Sequence, residues 1–247
     1  MVKKFLLISF FIIQISPNIG LAEASIKSRE EYEKTGYVIW EVNTNEKIIS
    51  ITFDDGPNPI YTPQILDVLS EYNAKATFFI TGSNAKKYPD VVRRIVKEGH
   101  EVANHTYNHE IDANITTKIL NNEIELTNKV LKEITGFSPS LYRPVAGIYN
   151  DRIIQTANNN NMYVIMWSWH QDPQDWRDPG VHAISSHVIS SVKPGDIILL
   201  HDSGGDRTQT VKALETILEY TSENGFECKT VTEMIISNDI PNYFLLH

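Results

Sequence analysis

One cysteine, Cys228, in 247 residues excludes an intramolecular disulfide, so stability has to come from an apolar core or a bound metal. The chain is also short of positive charge. Its 22 lysines and arginines face 31 aspartates and glutamates, a formal net charge of −9, which argues against binding nucleic acid through phosphates. There is no internal repeat and no low-complexity tract, so a solenoid or a long linker is not expected. Past the first two dozen residues no apolar run is long enough to cross a bilayer. What remains, at 41% hydrophobic residues, suffices for one sizeable core.

The first 24 residues differ in kind. A basic start, MVKK, precedes an apolar run, FLLISFFIIQI, too short to span comfortably, and then Ala22-Glu23-Ala24 in small-x-small form. This pattern reads as a secretory signal peptide cut after about Ala24, and hence as a secreted or cell-envelope protein; an uncleaved anchor is the alternative. Cleavage would remove Lys3, Lys4 and Glu23 and take the net charge from −9 to −10. Residues 25–46 are polar and mixed and read as a leader, residues 47–236 as one catalytic-size domain, and 237–247 as a tail. The sequence is silent on oligomeric state.

From Lys47 onward strands and helices alternate. KIISITF, ATFFITG, HEVANH, SLYRP, MYVIMW, DIILLH and FECKTV have strand composition. Between them lie helical periods, among them TPQILDVLSEY, with Thr62 as N-cap and Pro63 in the first turn, and a long amphipathic stretch stopped by Gly136. Cys228, in an alternating strand, is read as a packing residue. Seven strands in this rhythm imply an α/β fold with a mainly parallel sheet, closed as a barrel or open and doubly wound. In either form functional side chains gather where strands end and βα loops begin.

Those ends carry the polar chemistry. Strand one breaks into Asp54-Asp55-Gly56-Pro57, and turn chemistry alone would explain one aspartate more easily than two. Strand three runs into His105 and His109, strand four into Arg143-Pro144, strand five toward Asp172–Trp176, and strand six into Leu199-Leu200-His201-Asp202. Two histidines four apart, with a carboxylate from a neighbouring strand end, make a plausible 2-His-1-carboxylate metal site with open positions, provided the segment turns helically. One aspartate would then bind the cation and the other stay free beside it as a base. His100, His170, His182, His187 and His247 carry no such pattern, and SGGDR after His201-Asp202 lacks phosphate-loop spacing.

Taken in order, TFDDGP, HTYNH, RPVAG, DPQDW and LLHD resemble the polysaccharide deacetylases with a NodB-homology domain, carbohydrate esterase family four, from about Lys47 to Met234. The resemblance implies a distorted (β/α)7 barrel and metal-dependent removal of acetyl groups from N-acetylated sugar polymers: peptidoglycan, chitin-like oligomers or poly-N-acetylglucosamine. It implies that Asp55, His105 and His109 hold one divalent ion, usually zinc, although such a donor set also accepts cobalt, manganese, iron or nickel. Asp54 would be the general base with Arg143 as its ion-pair partner, and His201 the general acid held by Asp175. Leu199 and Trp176 would line an acetyl-methyl pocket, and Ala146 would supply a backbone N–H to the oxyanion. One departure stands out: relatives commonly have Arg-Pro-Pro-Tyr-Gly where this chain has Val145 and Ala146, which removes an aromatic wall. An O-acetyl esterase or small-amide hydrolase would use the same metal machinery, whereas an inactive sugar-binding module would need a missing catalytic residue.

Overall fold

A computed structural model describes residues 27–238, so the signal-peptide and cleavage expectations, His247 and most of the tail lie outside the described residues. The described strands are β1 (Val38–Ile39), β2 (Ile48–Asp54), β3 (Ala76–Ile80), β4 (Glu101–Asn104), β5 (Leu141–Tyr142), β6 (Tyr163–Ile165), β7 (Ile197–His201) and β8 (Glu227–Cys228). They form one curled, all-parallel sheet in the order β1-β6-β5-β4-β3-β2-β7, with β8 beside the start of β2. The helices are α1 (Arg29–Glu33), α2 (Tyr61–Glu71), α3 (Gly82–Lys87), α4 (Pro89–Lys97), α5 (Thr117–Thr135), α6 (Asp151–Asn159), α7 (Val181–Ile189), α8 (Thr208–Glu223) and α9 (Val231–Ser237). The barrel is distorted, as expected. Among the described residues its two edges meet through one antiparallel bridge, Glu41 to Asp196.

Strand β2 shows why the apolar runs become strands. Successive side chains point to opposite faces, so Ile49, Ile51 and Phe53 face one way and Ser50, Thr52 and Asp54 the other. The first set packs with Ile65, Leu66 and Leu69 of α2 and Leu214 and Ile217 of α8, all fully buried. Each such burial is worth roughly 1.5–3 kcal/mol. Phe53 stacks on Phe78 of β3 at 5.1 Å between ring centroids. The second set lines the barrel interior, where Thr52 donates to the Ile198 carbonyl at 2.7 Å.

Three expectations change. Residues 25–46 are not a loose leader over their described part: Tyr32, Val38, Trp40 and Val42 are buried and β1 pairs with β6, because the edge of β6 needs a partner and this apolar quartet supplies one. An eighth strand results. Helix α2 begins at Tyr61, not after a Thr62 cap. The Asn58 side-chain oxygen accepts from the Ile60 and Tyr61 amides, which frees the Thr62 hydroxyl to donate to Asp202. Finally, TGSNAKK continues past β3 into α3, whose role is described below.

Register sets the rim. Asp54 pairs with Phe79 and His201, Ile80 with Asn104, and Asn104 with Tyr142. The carboxyl ends of five strands thus stand level, and the loops after them open on one face. Among the described residues no helix is long and apolar enough to cross a membrane.

Candidate active site

At the end of β2 the backbone turns sharply. Asp54 is still extended strand, whereas Asp55 takes φ 76°, a left-handed conformation costly for a residue with a Cβ. The turn is held from α3: Asn84 donates to the Asp55 carbonyl at 2.8 Å, and the Thr81 hydroxyl to that of Gly56 at 3.3 Å. Gly56 has no room for a side chain, since a Cβ there would collide with the buried Asp202 carboxylate.

The consequence is a division of the two carboxylates. Asp54 Oδ1 accepts from Arg143 Nη1 at 2.7 Å. Arg143 is fully buried and spends its other donors on Thr52 Oγ1 and the carbonyls of Ile165 and Met166, with its guanidinium 3.9 Å above the Phe79 ring. Burial pulls the Arg143 pKa down and Asp54 opposes that shift. Asp55 Oδ1 instead faces two imidazoles, His109 Nε2 at 2.8 Å and His105 Nε2 at 3.5 Å. Burial works against ionisation of Asp55, but the bonds to His105 and His109 outweigh it and hold its carboxyl well below the usual range.

The two histidines do not ride on a helical turn, contrary to the expectation from their spacing. Thr106 and His109 both have positive φ, and the loop is shaped from elsewhere. Glu123 of α5, itself buried, accepts from the amides of Tyr107 and Asn108 and from the Asn108 side chain at 2.7–2.9 Å. His105 Nδ1 lies 2.8 Å from the Arg143 carbonyl, which can only accept. The ring therefore carries its proton on Nδ1 when neutral, leaving the Nε2 lone pair aimed at Asp55. A lone pair facing a carboxylate calls for a cation between them. The donor atoms of Asp55, His105 and His109 all lie within 4.8 Å of one another, a set that fits a divalent ion.

Across the cleft stands a second pair. His201 Nδ1 is 2.7 Å from Asp175 Oδ1, and Asp175 Oδ2 accepts from the His201 amide and the Thr210 hydroxyl. Burial works against protonation of His201, but the Asp175 bond and the charges of Asp54 and Asp55 prevail, raising its pKa from 6.5 to about 9. A cavity of about 390 Å³ joins the two halves, and Leu199, Ala146 and Trp176 lie on its wall. Trp176 is 46% exposed, so it is a wall and not core. The Ala146 amide makes no hydrogen bond to another described residue.

Sequence reasoning missed Arg207, Trp167 and Ile111 on the cavity wall and Glu123 behind it. For Glu123 a signal existed: it lies on the apolar stripe of α5 with Leu120, Ile124, Thr127 and Leu131, where a carboxylate needs a reason.

Known proteins resemble this chain over most of its length. A family profile described as polysaccharide deacetylase matches residues 41–165. A peptidoglycan-N-acetylglucosamine deacetylase of Bacillus cereus is 49% identical over 207 residues, covering 84% of this chain and 97% of that protein. A chitooligosaccharide deacetylase of Sinorhizobium fredii is 37% identical, covering 77% and 93%. Among solved structures, a peptidoglycan N-acetylglucosamine deacetylase bound to 4-naphthalen-1-yl-N-oxidanyl-benzamide superposes with TM-score 0.79 at 32% identity, covering 83% and 95%.

Proposed function

The chain belongs to the polysaccharide deacetylase family, and from that membership we propose that it hydrolyses the N-acetyl groups of N-acetylglucosamine units in cell-envelope peptidoglycan, releasing acetate. One observation carries the reading: adjacent carboxylates are assigned to different partners, Asp54 to Arg143 and Asp55 to two imidazoles, opposite a buried His201–Asp175 pair. A hydrolase of an unreactive amide needs these parts together, a base, a Lewis-acid cradle and an acid for a poor leaving group.

Asp55, His105 and His109 would hold the ion, with zinc first among those the donor set suits. When bound, a divalent ion supplies Lewis-acid polarisation and lowers the pKa of water. Asp54, oriented by Arg143, takes the proton of the attacking water. The Ala146 N–H, without a partner among the described residues, donates to the oxyanion; one such donor is typically worth about 3–4 kcal/mol. His201, held protonated by Asp175, gives its proton to the departing sugar amine. Leu199 and Trp176 enclose the acetyl methyl.

The substrate and the export of the protein rest on the peptidoglycan-directed relative and the leading apolar run. Acetate release from peptidoglycan, chitooligomers and acetylated xylan, with chelator and with metal add-back, tests the reading. Chelator-sensitive release from peptidoglycan is expected. Release from xylan alone would replace the amide reading with an ester one, and none from any polymer would leave a sugar-binding module.

A further inference from the structure

We propose that Glu41, His170 and Asp196 form a second divalent-cation site, separate from the cleft, which staples the seam where the two edges of the barrel meet. Their donor atoms lie within 4.8 Å of one another, a bound the Asp55 cluster also meets. The three come from separate stretches: the extension of β1, the turn after β6 and the residue before β7. Asp196 immediately precedes the strand that His201 ends, so the two sites stand roughly 16 Å apart along β7.

Asp196 is the observation that asks for a ligand. It is fully buried, and its Oδ2 accepts from the Lys193 amide at 2.9 Å, Gln171 Nε2 at 3.2 Å and His170 Nε2 at 3.0 Å. Among the described residues its Oδ1 has no partner, and neither has Oε1 of Gln171, the same amide that touches Asp196. Two buried acceptors without a donor are costly and are satisfied by a cation.

The local charges permit it. Glu41 lies 3.3 Å from Arg29 and 3.9 Å from Lys193, but Arg29 has a closer partner in Glu33 at 2.6 Å, and Lys193 is largely exposed. Glu41 can therefore turn to an ion without leaving Arg29 unpaired. His170 is about one-third exposed, so the proton displaced from Nε2 has a path to solvent. Two carboxylates and one imidazole favour a divalent transition ion over calcium or magnesium.

The position suggests the purpose. Among the described residues Glu41 and Asp196 form the one isolated bridge between the edges, and Gly195 beside it approaches the Val42 carbonyl so closely that a Cβ would collide. In a chain with one cysteine, an ion bound to the folded state alone supplies the cross-link a disulfide cannot.

Untagged protein stripped by chelator is dialysed against zinc or manganese and analysed for bound metal. Two equivalents are expected for wild type, one for His170→Ala, one for His105→Ala and none for the double variant. Zinc at 100 times its dissociation constant should raise the Tm of His105→Ala by about 5 °C, and leave the double variant unmoved. Should His170→Ala fold poorly, Glu41→Gln is expected to show the same loss of one equivalent. A single equivalent in wild type, two retained by His170→Ala, or no Tm response in His105→Ala overturns the proposal and leaves Asp196 to a buried water.

Discussion

Asp54 and Asp55 share a peptide bond but not a direction: one reaches Arg143 at 2.7 Å and the other His109 at 2.8 Å. The left-handed turn at Asp55 separates them, and that separation is what permits a free base beside a ligand. Asp54→Asn is expected to keep the metal content and lower turnover by about 10²-fold or more. Asparagine still offers Arg143 an oxygen, so the fold survives. Asp54→Leu leaves a buried guanidinium unpaired, and a loss of about 3–5 kcal/mol is expected in denaturant titration. Near-normal turnover in Asp54→Asn on a chitooligomer would remove it as the base.

His105 and His109 should fail differently from Asp54. His105→Ala or His109→Ala is expected to lose cleft metal before stability, because both rings line the cleft cavity. Elemental analysis beside a thermal melt separates the two effects. His105 is buried and its ring is fixed by the Arg143 carbonyl, whereas His109 is one-third exposed. The larger loss of affinity is therefore expected at His105, and equal metal content in both variants and wild type would exclude them as ligands.

The raised pKa of His201 sets a pH limit. With its folded value at about 9 against an ordinary 6.5, the imidazolium is kept through neutral pH and lost as pH rises through about 9. Turnover should fall on that limb. The His201–Asp175 contribution to stability has the same sign: full below about 6.5 and lost as pH climbs through 9. Asp175→Asn should move the alkaline limb of kcat toward neutrality; an unmoved limb assigns that ionisation to another group.

How much of this was legible beforehand follows from where each constraint sits. Strand ends, Asp-Asp, the histidine pair and the acid motif are local words in the sequence, and parallel βα order alone brings them to one rim. The seven expected strands are all present, and β1 was missed because Val38-Ile39 is two residues long, with its reason, the bare edge of β6, more than 120 residues away. The histidine loop was misread for a similar cause: spacing of four suggests a helical turn, but Glu123 on α5 imposes another shape. Register and distant carboxylates are not written beside the residues they govern.

Gly56 offers a test of the turn that uses no chemistry. Gly56→Ala would drive a Cβ into the Asp202 carboxylate, which is buried and held by the Thr62 hydroxyl and so cannot step aside. Overpacking of this kind costs about 1–3 kcal/mol, or roughly 2–4 °C in Tm for each kcal/mol in a domain of this size. A melt unchanged from wild type would mean that the turn relaxes and that its geometry is not imposed by packing.

Arg143 separates the holding of the base from the holding of the ion. Its side chain orients Asp54, while its backbone carbonyl orients His105. Arg143→Lys changes only the first. A lysine ammonium has three donors and no planar fork, so it cannot reach Asp54, Thr52 and the carbonyls of Ile165 and Met166 together, nor lie flat on Phe79. Buried carbonyls then go unpaired, and a stability loss of about 1–3 kcal/mol is expected for such a group. Metal content should stay near wild type, since the carbonyl at position 143 remains, while kcat falls as Asp54 loses its fixed orientation. Metal lost in parallel with kcat would show that the side chain supports the ligand cradle as well, and that base and ligands act as one unit.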